Sequence, residues 1–237
     1  MCLKKKGIFS VFISLGLLAG CATTAPVPDG PAPPQNLLGS TDELQLITEL
    51  SIDLARTYGG DQVLVVLGLE NTLLATSGNT NASCYAGGQG AMTRPSQEDA
   101  ASQVQRMQEA GLKVIAVTSR GSDCLDQTLT ELNSNGFDFQ ASAWPPGGGY
   151  PEAFSYQGGN DSSTYEKGVF FTSSQGQGPA LKSLVEQSGQ PYPALIVFAD
   201  QRQQDLNSVM KSFSTSSIKV HTWRYTREAT QVASSGQ

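Results

Sequence analysis

The chain has 237 residues and carries 15 basic against 21 acidic side chains, for a net charge of −6. That excess of acid argues against a nucleic-acid-binding or anionic-membrane surface, since both need a cationic face. Only 15% of the residues are charged, and Gly, Ser, Gln, Asn and Thr are abundant, a composition that suits an exported domain with long polar loops.

Met1-Cys2-Leu3-Lys4-Lys5-Lys6 opens the chain, an apolar run follows from about Gly7 to Leu18, and Ala19-Gly20-Cys21 closes it. A dozen apolar residues fall short of the roughly 20 that a membrane span needs, and fit a cleavable export signal over residues 1–20. Leu18-Ala19-Gly20-Cys21 resembles the lipobox of bacterial lipoproteins, which is cut just before a Cys that receives diacylglycerol; the bland alternative is an ordinary signal with a chance Cys. The resemblance implies a lipid anchor at Cys21 in the cell envelope, with the membrane as a partner through its acyl chains. Ala22, standing where Asp would favour inner-membrane retention, implies the outer membrane facing the periplasm. Loss of residues 1–20 removes three basic and no acidic side chains, which leaves a mature charge of −9. With Cys2 cleaved away and Cys21 lipidated, Cys84 and Cys124 remain. In an oxidising periplasm they either form one disulfide or persist as two buried thiols.

Residues 21–39 are Pro-rich and read as an extended tether. Ser40 reads as a helix N-cap, with Glu43 completing a capping box. Leu44, Ile47, Leu50 or Ser51, Leu54 and Tyr58 follow at helical spacing, up to the Gly59-Gly60 stop. Val63-Leu64-Val65-Val66-Leu67 is a continuous aliphatic run, as in a strand buried on both faces of a parallel sheet. Residues 75–94 read as a long loop. Ser96 opens a helix to about Ala110, stopped by Gly111, and Val114–Thr118 is a second buried strand. Ser122 opens the next helix, through Leu125, Leu129 and Leu132 to Asn135-Gly136. Residues 141–167, which include Trp144 and Tyr150, read as a second excursion that forms a small lid or partner contact, or is simply pinned to the domain by Trp144. Strands at Gly168–Thr172, Ala194–Phe198 and Ile218–Trp223 alternate with helices near Pro179–Gln187 and Arg202–Ser212, and 229–237 is a polar tail. Such alternation predicts one α/β domain over residues 40–228, with a mostly parallel, doubly wound sheet. In that architecture the functional crevice lies outside the carboxyl ends of the strands.

Those strand ends read Gly68-Leu69-Glu70-Asn71-Thr72-Leu73, Thr118-Ser119-Arg120-Gly121, Thr172-Ser173 and Ala199-Asp200-Gln201. In this order, over roughly residues 41–225, they resemble the haloacid-dehalogenase (HAD-like) superfamily, near the exported class B and class C acid phosphatases. The resemblance implies a Rossmann-like three-layer sandwich. It also implies an Asp-x-Asp-x-Thr pattern after the first strand, whose first Asp attacks phosphorus and whose second works as acid and base. A Ser or Thr after the second strand would hold the phosphoryl group, a Lys near the third would offset charge, and acids after the fourth would hold Mg²⁺.

The nucleophile position here is Gly68, which can neither attack nor ligate. Glu70 stands at the acid/base position, Thr72 and Thr118 are retained, Lys182 lies on a helix rather than in the loop before it, and Asp200 is the acid left after the fourth strand. The leading reading is therefore a catalytically inactive domain that binds or scaffolds, with no cofactor, and with an envelope protein or a small anionic ligand as partner. Ser119 and Arg120 are its candidate ligand contacts, although an ordinary salt bridge suits Arg120 equally. The alternative is a reworked Mg²⁺-dependent phosphohydrolase that uses Glu70 and Asp200 on a directly attacking water, its metal held by Asp200 and Glu70. His221 reads as a half-buried strand residue in preference to a catalytic base.

Overall fold

The computed structural model describes residues 31–76, 84, 93–144, 162–173 and 175–228. The export signal, Cys21, Tyr150 and the polar tail lie outside them. Among the described residues the chain forms β1 (Leu37–Thr41), α1 (Leu44–Tyr58), β2 (Val63–Gly68), β3 (Leu74–Thr76), β4 (Thr93–Pro95), α2 (Ala100–Glu109) and β5 (Lys113–Thr118). It continues through α3 (Leu125–Ser134), β6 (Thr164–Glu166), β7 (Val169–Phe171), α4 (Gln177–Gln187), β8 (Leu195–Asp200), α5 (Gln203–Ser212) and β9 (Lys219–Tyr225).

Seven strands make one sheet in the order β1-β9-β8-β2-β5-β7-β6, all parallel except β6, which runs antiparallel to β7. Side chains that alternate along the strands feed two cores. Val63, Val65 and Leu67 of β2 pack with Leu44 and Ile47 of α1, Val104 and Met107 of α2, and Leu132 of α3. Leu64 and Val66 pack on the other face with Leu181 and Leu184 of α4 and with Leu206 and Val209 of α5. The fold is thus an α/β, Rossmann-like three-layer sandwich, and burying each of these aliphatics stabilises it by roughly 1.5–3 kcal/mol. None of the helices described is long and apolar enough to cross a membrane.

From β2 the chain winds outward through β5 and β7, then crosses to β8 and winds the other way through β9. The reversal falls between β2 and β8, whose carboxyl ends, Gly68 and Asp200, therefore stand at the switch point where such sheets open a crevice.

Several local expectations are corrected. The stretch read as tether already contains β1, which pairs in register with His221–Tyr225. Its Leu-Leu-Gly-Ser-Thr sequence has little strand character, and the pairing with β9 supplies what propensity lacks. Gly39 sits where a Cβ would lie 2.6 Å from the Trp223 ring. Ser40 belongs to this strand and caps nothing. Glu43 occupies the N-cap of α1 instead, with its N–H donated to Thr41 Oγ1 at 3.0 Å, while the Leu44 N–H goes to Gln97 Oε1 at 3.0 Å. Ser96 likewise is no cap: its hydroxyl donates to the Thr72 carbonyl, and α2 begins at Ala100. The loop over 75–94 holds the short antiparallel pair β3–β4, and the excursion over 141–167 holds β6. A two-residue turn joins β6 to β7, with Lys167 at φ 49° and Gly168 at φ 78°, and a Cβ at Gly168 would lie 2.4 Å from the Phe139 carbonyl oxygen.

Candidate functional site

Four turns converge on the carboxyl edge, and each is fastened to its neighbour. The turn after β2 folds back through Asn71, at φ 54°, whose N–H reaches the Leu74 carbonyl at 2.7 Å. It is tied to the turn after β8 by Thr72, whose buried Oγ1 accepts the Gln201 N–H at 3.0 Å. On its other side it meets the turn after β5: Glu70 Oε1 accepts Thr118 Oγ1 at 2.7 Å and Arg120 Nε at 3.0 Å. The β5 and β7 turns are joined in turn by Thr172 N–H to Thr118 carbonyl (2.9 Å) and Ser173 N–H to Arg120 carbonyl (3.1 Å).

Arg120 is the hub of this rim. Its Nη1 donates to Thr128 Oγ1 at 2.9 Å and to Glu131 Oε2 at 2.8 Å on α3, so two carboxylates share one guanidinium. The salt-bridge role thus occupies the side chain that would contact an anion. Ser119 beside it is exposed. Lys182 stands in the body of α4 and pairs with Glu186 at 2.9 Å. Among the described residues no hydrogen bond or ion pair links it to the strand ends. Gln177, the first residue of α4, and Gln175, two residues before it, are both buried.

Gly68 and Asp200 are complementary in space. A Cβ built on Gly68 would lie 2.2 Å from Asp200 Oδ2 and 2.8 Å from its Cγ, so the acid from β8 fills the room that a side chain from β2 would take. Asp200 is 3% exposed, and its Oδ1 accepts the Arg202 N–H at 2.7 Å. Burial pushes its carboxyl up to about 7; the Arg202 N–H and guanidinium oppose this, while nearby Asp205 and Glu70 reinforce it. Asp205, in the first turn of α5, is also buried and shifted upward by desolvation, against the pull of Arg202. Arg202 Nε lies 2.6 Å from Asp205 Oδ2, an ion pair within one turn of α5. Asp205 was missed in the sequence; its one signal was an acid five residues past Asp200 on the opening turn of a helix.

The remaining expected residues fall elsewhere. Cys84 and Cys124 are joined by a disulfide with Cα atoms 5.0 Å apart, which ties the chain between β3 and β4 to the start of α3. Among the described residues these two and Asp123 are the acid–thiol group close enough to share a metal ion, but the disulfide takes both sulfurs. His221 lies in β9 between β1 and β8, with Nε2 on the Gln35 carbonyl at 2.9 Å, and burial holds its pKa below the usual value. Trp144 is packed in the core with Ile115 and Phe170, and its backbone N–H donates to Tyr165 Oη at 3.2 Å.

No curated protein and no solved structure matches the chain. A family model does match, over residues 89–237, a span that begins after the Gly68–Thr72 turn and takes in the turns that carry Thr118, Arg120 and Asp200. The chain belongs to that family, described as "Protein of unknown function (DUF2608)".

Proposed function

We propose that this is a lipid-anchored envelope protein whose HAD-like domain binds a ligand at the strand-end crevice and does not carry out covalent phosphoryl transfer. The observation that carries this reading is the Gly68–Asp200 pair. The nucleophile position has no side chain, and the acid of the fourth strand end occupies the space where one would project. Convergence of Glu70, Thr72, Thr118 and Asp200 on one crevice supports the resemblance; their engagement with one another supports loss of the reaction. The donor set does not fit Mg²⁺. Mg²⁺ is held through one or two accessible carboxylates and several waters, yet Gly68 offers none, Glu70 is held by Arg120 and Thr118, Asp205 by Arg202, and Asp200 is 3% exposed with Oδ1 on the Arg202 N–H.

A second reading has one observation in its favour. A carboxyl with a pKa of about 7 at the crevice suits a general base for direct attack by water. One assay separates the two. Full-length protein incubated with p-nitrophenyl phosphate and Mg²⁺ is expected to release no p-nitrophenol above a no-enzyme control. Magnesium-dependent turnover that disappears in Glu70→Gln or Asp200→Asn would establish the hydrolase reading and overturn ours.

A further inference from the structure

The crevice is poorly equipped to hold an anion. The cations that follow β5, β7 and β8 most closely are each committed: Arg120 to Glu70 and Glu131, Lys182 to Glu186, and Arg202 to Asp205. Glu70 and Asp205 set two further carboxylates near Asp200. A phosphate dianion placed there would meet the Glu70 and Asp205 carboxylates, with no uncommitted cation among the described residues of these turns to offset it.

What this edge does offer is unused carboxamide. Gln177, the first residue of α4, is 1% exposed, and neither its Nε2 nor its Oε1 has a hydrogen-bond partner. Gln175, two residues before it, is 5% exposed; its Oε1 accepts Ser163 Oγ at 2.7 Å and its Nε2 has no partner. Buried polar groups in folded proteins are almost always paired, because an unmade hydrogen bond in an enclosed place costs stability. Two orphaned amides thus stand within three residues of each other on the segment that follows β7, where the chain itself supplies no partner for them. A glutamine side chain turns about three bonds, so its amide can swing to a guest while the backbone stays in place.

We infer that the crevice end of α4 binds an uncharged ligand rich in hydroxyl and amide groups, in chemical class a neutral sugar, with Gln175 and Gln177 as its specificity-determining contacts, and that it discriminates against phosphate esters. Sugar hydroxyls donate to carboxylates such as Glu70 and both donate to and accept from carboxamides, so the same groups that repel an anion suit this ligand. The inference rests on reading the crevice as a binding site and adds the ligand's class.

The test uses ¹⁵N-labelled full-length protein titrated separately with N-acetylglucosamine, glucose and inorganic phosphate, while the side-chain NH₂ resonances of Gln175 and Gln177 are followed. At least one sugar is expected to shift both resonances saturably, and phosphate neither. Gln177→Leu, which removes the orphaned amide at similar volume, is expected to keep the fold and the melting temperature while weakening sugar binding at least tenfold. Shifts with phosphate alone would overturn the inference and leave the binding reading intact. Silence with all three probes, amides held by enclosed water only, or unchanged sugar affinity in Gln177→Leu would also overturn it. Turnover of p-nitrophenyl phosphate would instead defeat the reading on which it rests.

Discussion

Asp200 holds a proton far more tightly in the folded chain than a carboxyl does in water, with its pKa raised from 3.8 to about 7. Between those values the folded state keeps a proton that the unfolded state releases. Its contribution to stability is therefore fully present below about pH 4 and is lost as pH rises through 7. Asp205 is shifted the same way, whereas His221, whose pKa is lowered, costs stability as pH falls below 6.5. Unfolding free energies of wild type and Asp200→Asn, measured by urea titration from pH 4 to 8, isolate the first effect. Asp200→Asn is expected to gain on wild type as pH rises, by at most about 4 kcal/mol at 1.36 kcal/mol per pKa unit; parallel curves would contradict the buried state of this carboxyl. At this scale the sequence was partly legible. Gly68, Glu70, Thr72, Thr118 and Asp200 stand out because a strand end followed by a short turn has a recognisable pattern. Asp205 does not, since an acid in the first turn of a helix is ordinarily explained by the helix dipole. Lys182 follows the third strand but lies on a helix, and a helical position turned toward Glu186 cannot be told in sequence from one turned toward the strand ends without the packing of α4.

Helix α4 lies so close to α5 that one contact between them tolerates no side chain. The Gly178 N–H donates to Ser208 Oγ at 3.2 Å, and a Cβ on Gly178 would stand 2.2 Å from the Ser208 carbonyl oxygen, a backbone atom with nowhere to go. Gly178→Ala gains up to about 1 kcal/mol of helix propensity but forces the two helices apart. A net loss of roughly 1–3 kcal/mol is expected, the usual range for overpacking. Gly176→Ala is the control, because its Cβ would meet nothing nearer than 3.5 Å; equal effects in the two variants would refute close helix approach as the cause. Among the strands, β2, β5 and β8 could be read directly, since an unbroken run of Val, Ile and Leu has few other uses. Strands β1, β3, β4 and β6 could not. They are three to five residues long, β1 and β6 lie at the sheet edges, and all four are specified by the partner they meet.

Across the whole domain, the bond between Cys84 and Cys124 closes a loop of 40 residues that contains β4, α2 and β5. On the chain-entropy account such a cross-link stabilises the fold by about 4 kcal/mol, by restricting the unfolded chain. The Cys84→Ser/Cys124→Ser double variant is expected to unfold at correspondingly lower urea, with its near-ultraviolet circular dichroism retained before the transition. Unchanged stability would show that the bond does not constrain the unfolded ensemble. The doubly wound order was legible at this scale because strands and helices alternate with helical stretches of 10–15 residues. What no local pattern conveys is that chain order β2, β5, β7, β8 becomes spatial order β8, β2, β5, β7, which sets residues as far apart as Thr72 and Gln201 against each other.

That fastening of turn to turn has a thermodynamic consequence for any guest. The Thr72–Gln201, Glu70–Arg120 and Arg120–Ser173 links have already surrendered the backbone freedom of the rim during folding. Association then carries little ordering entropy beyond the rotation of a few side chains. Its heat-capacity change should follow the apolar area that the guest covers, without the larger signature of loops that refold around it.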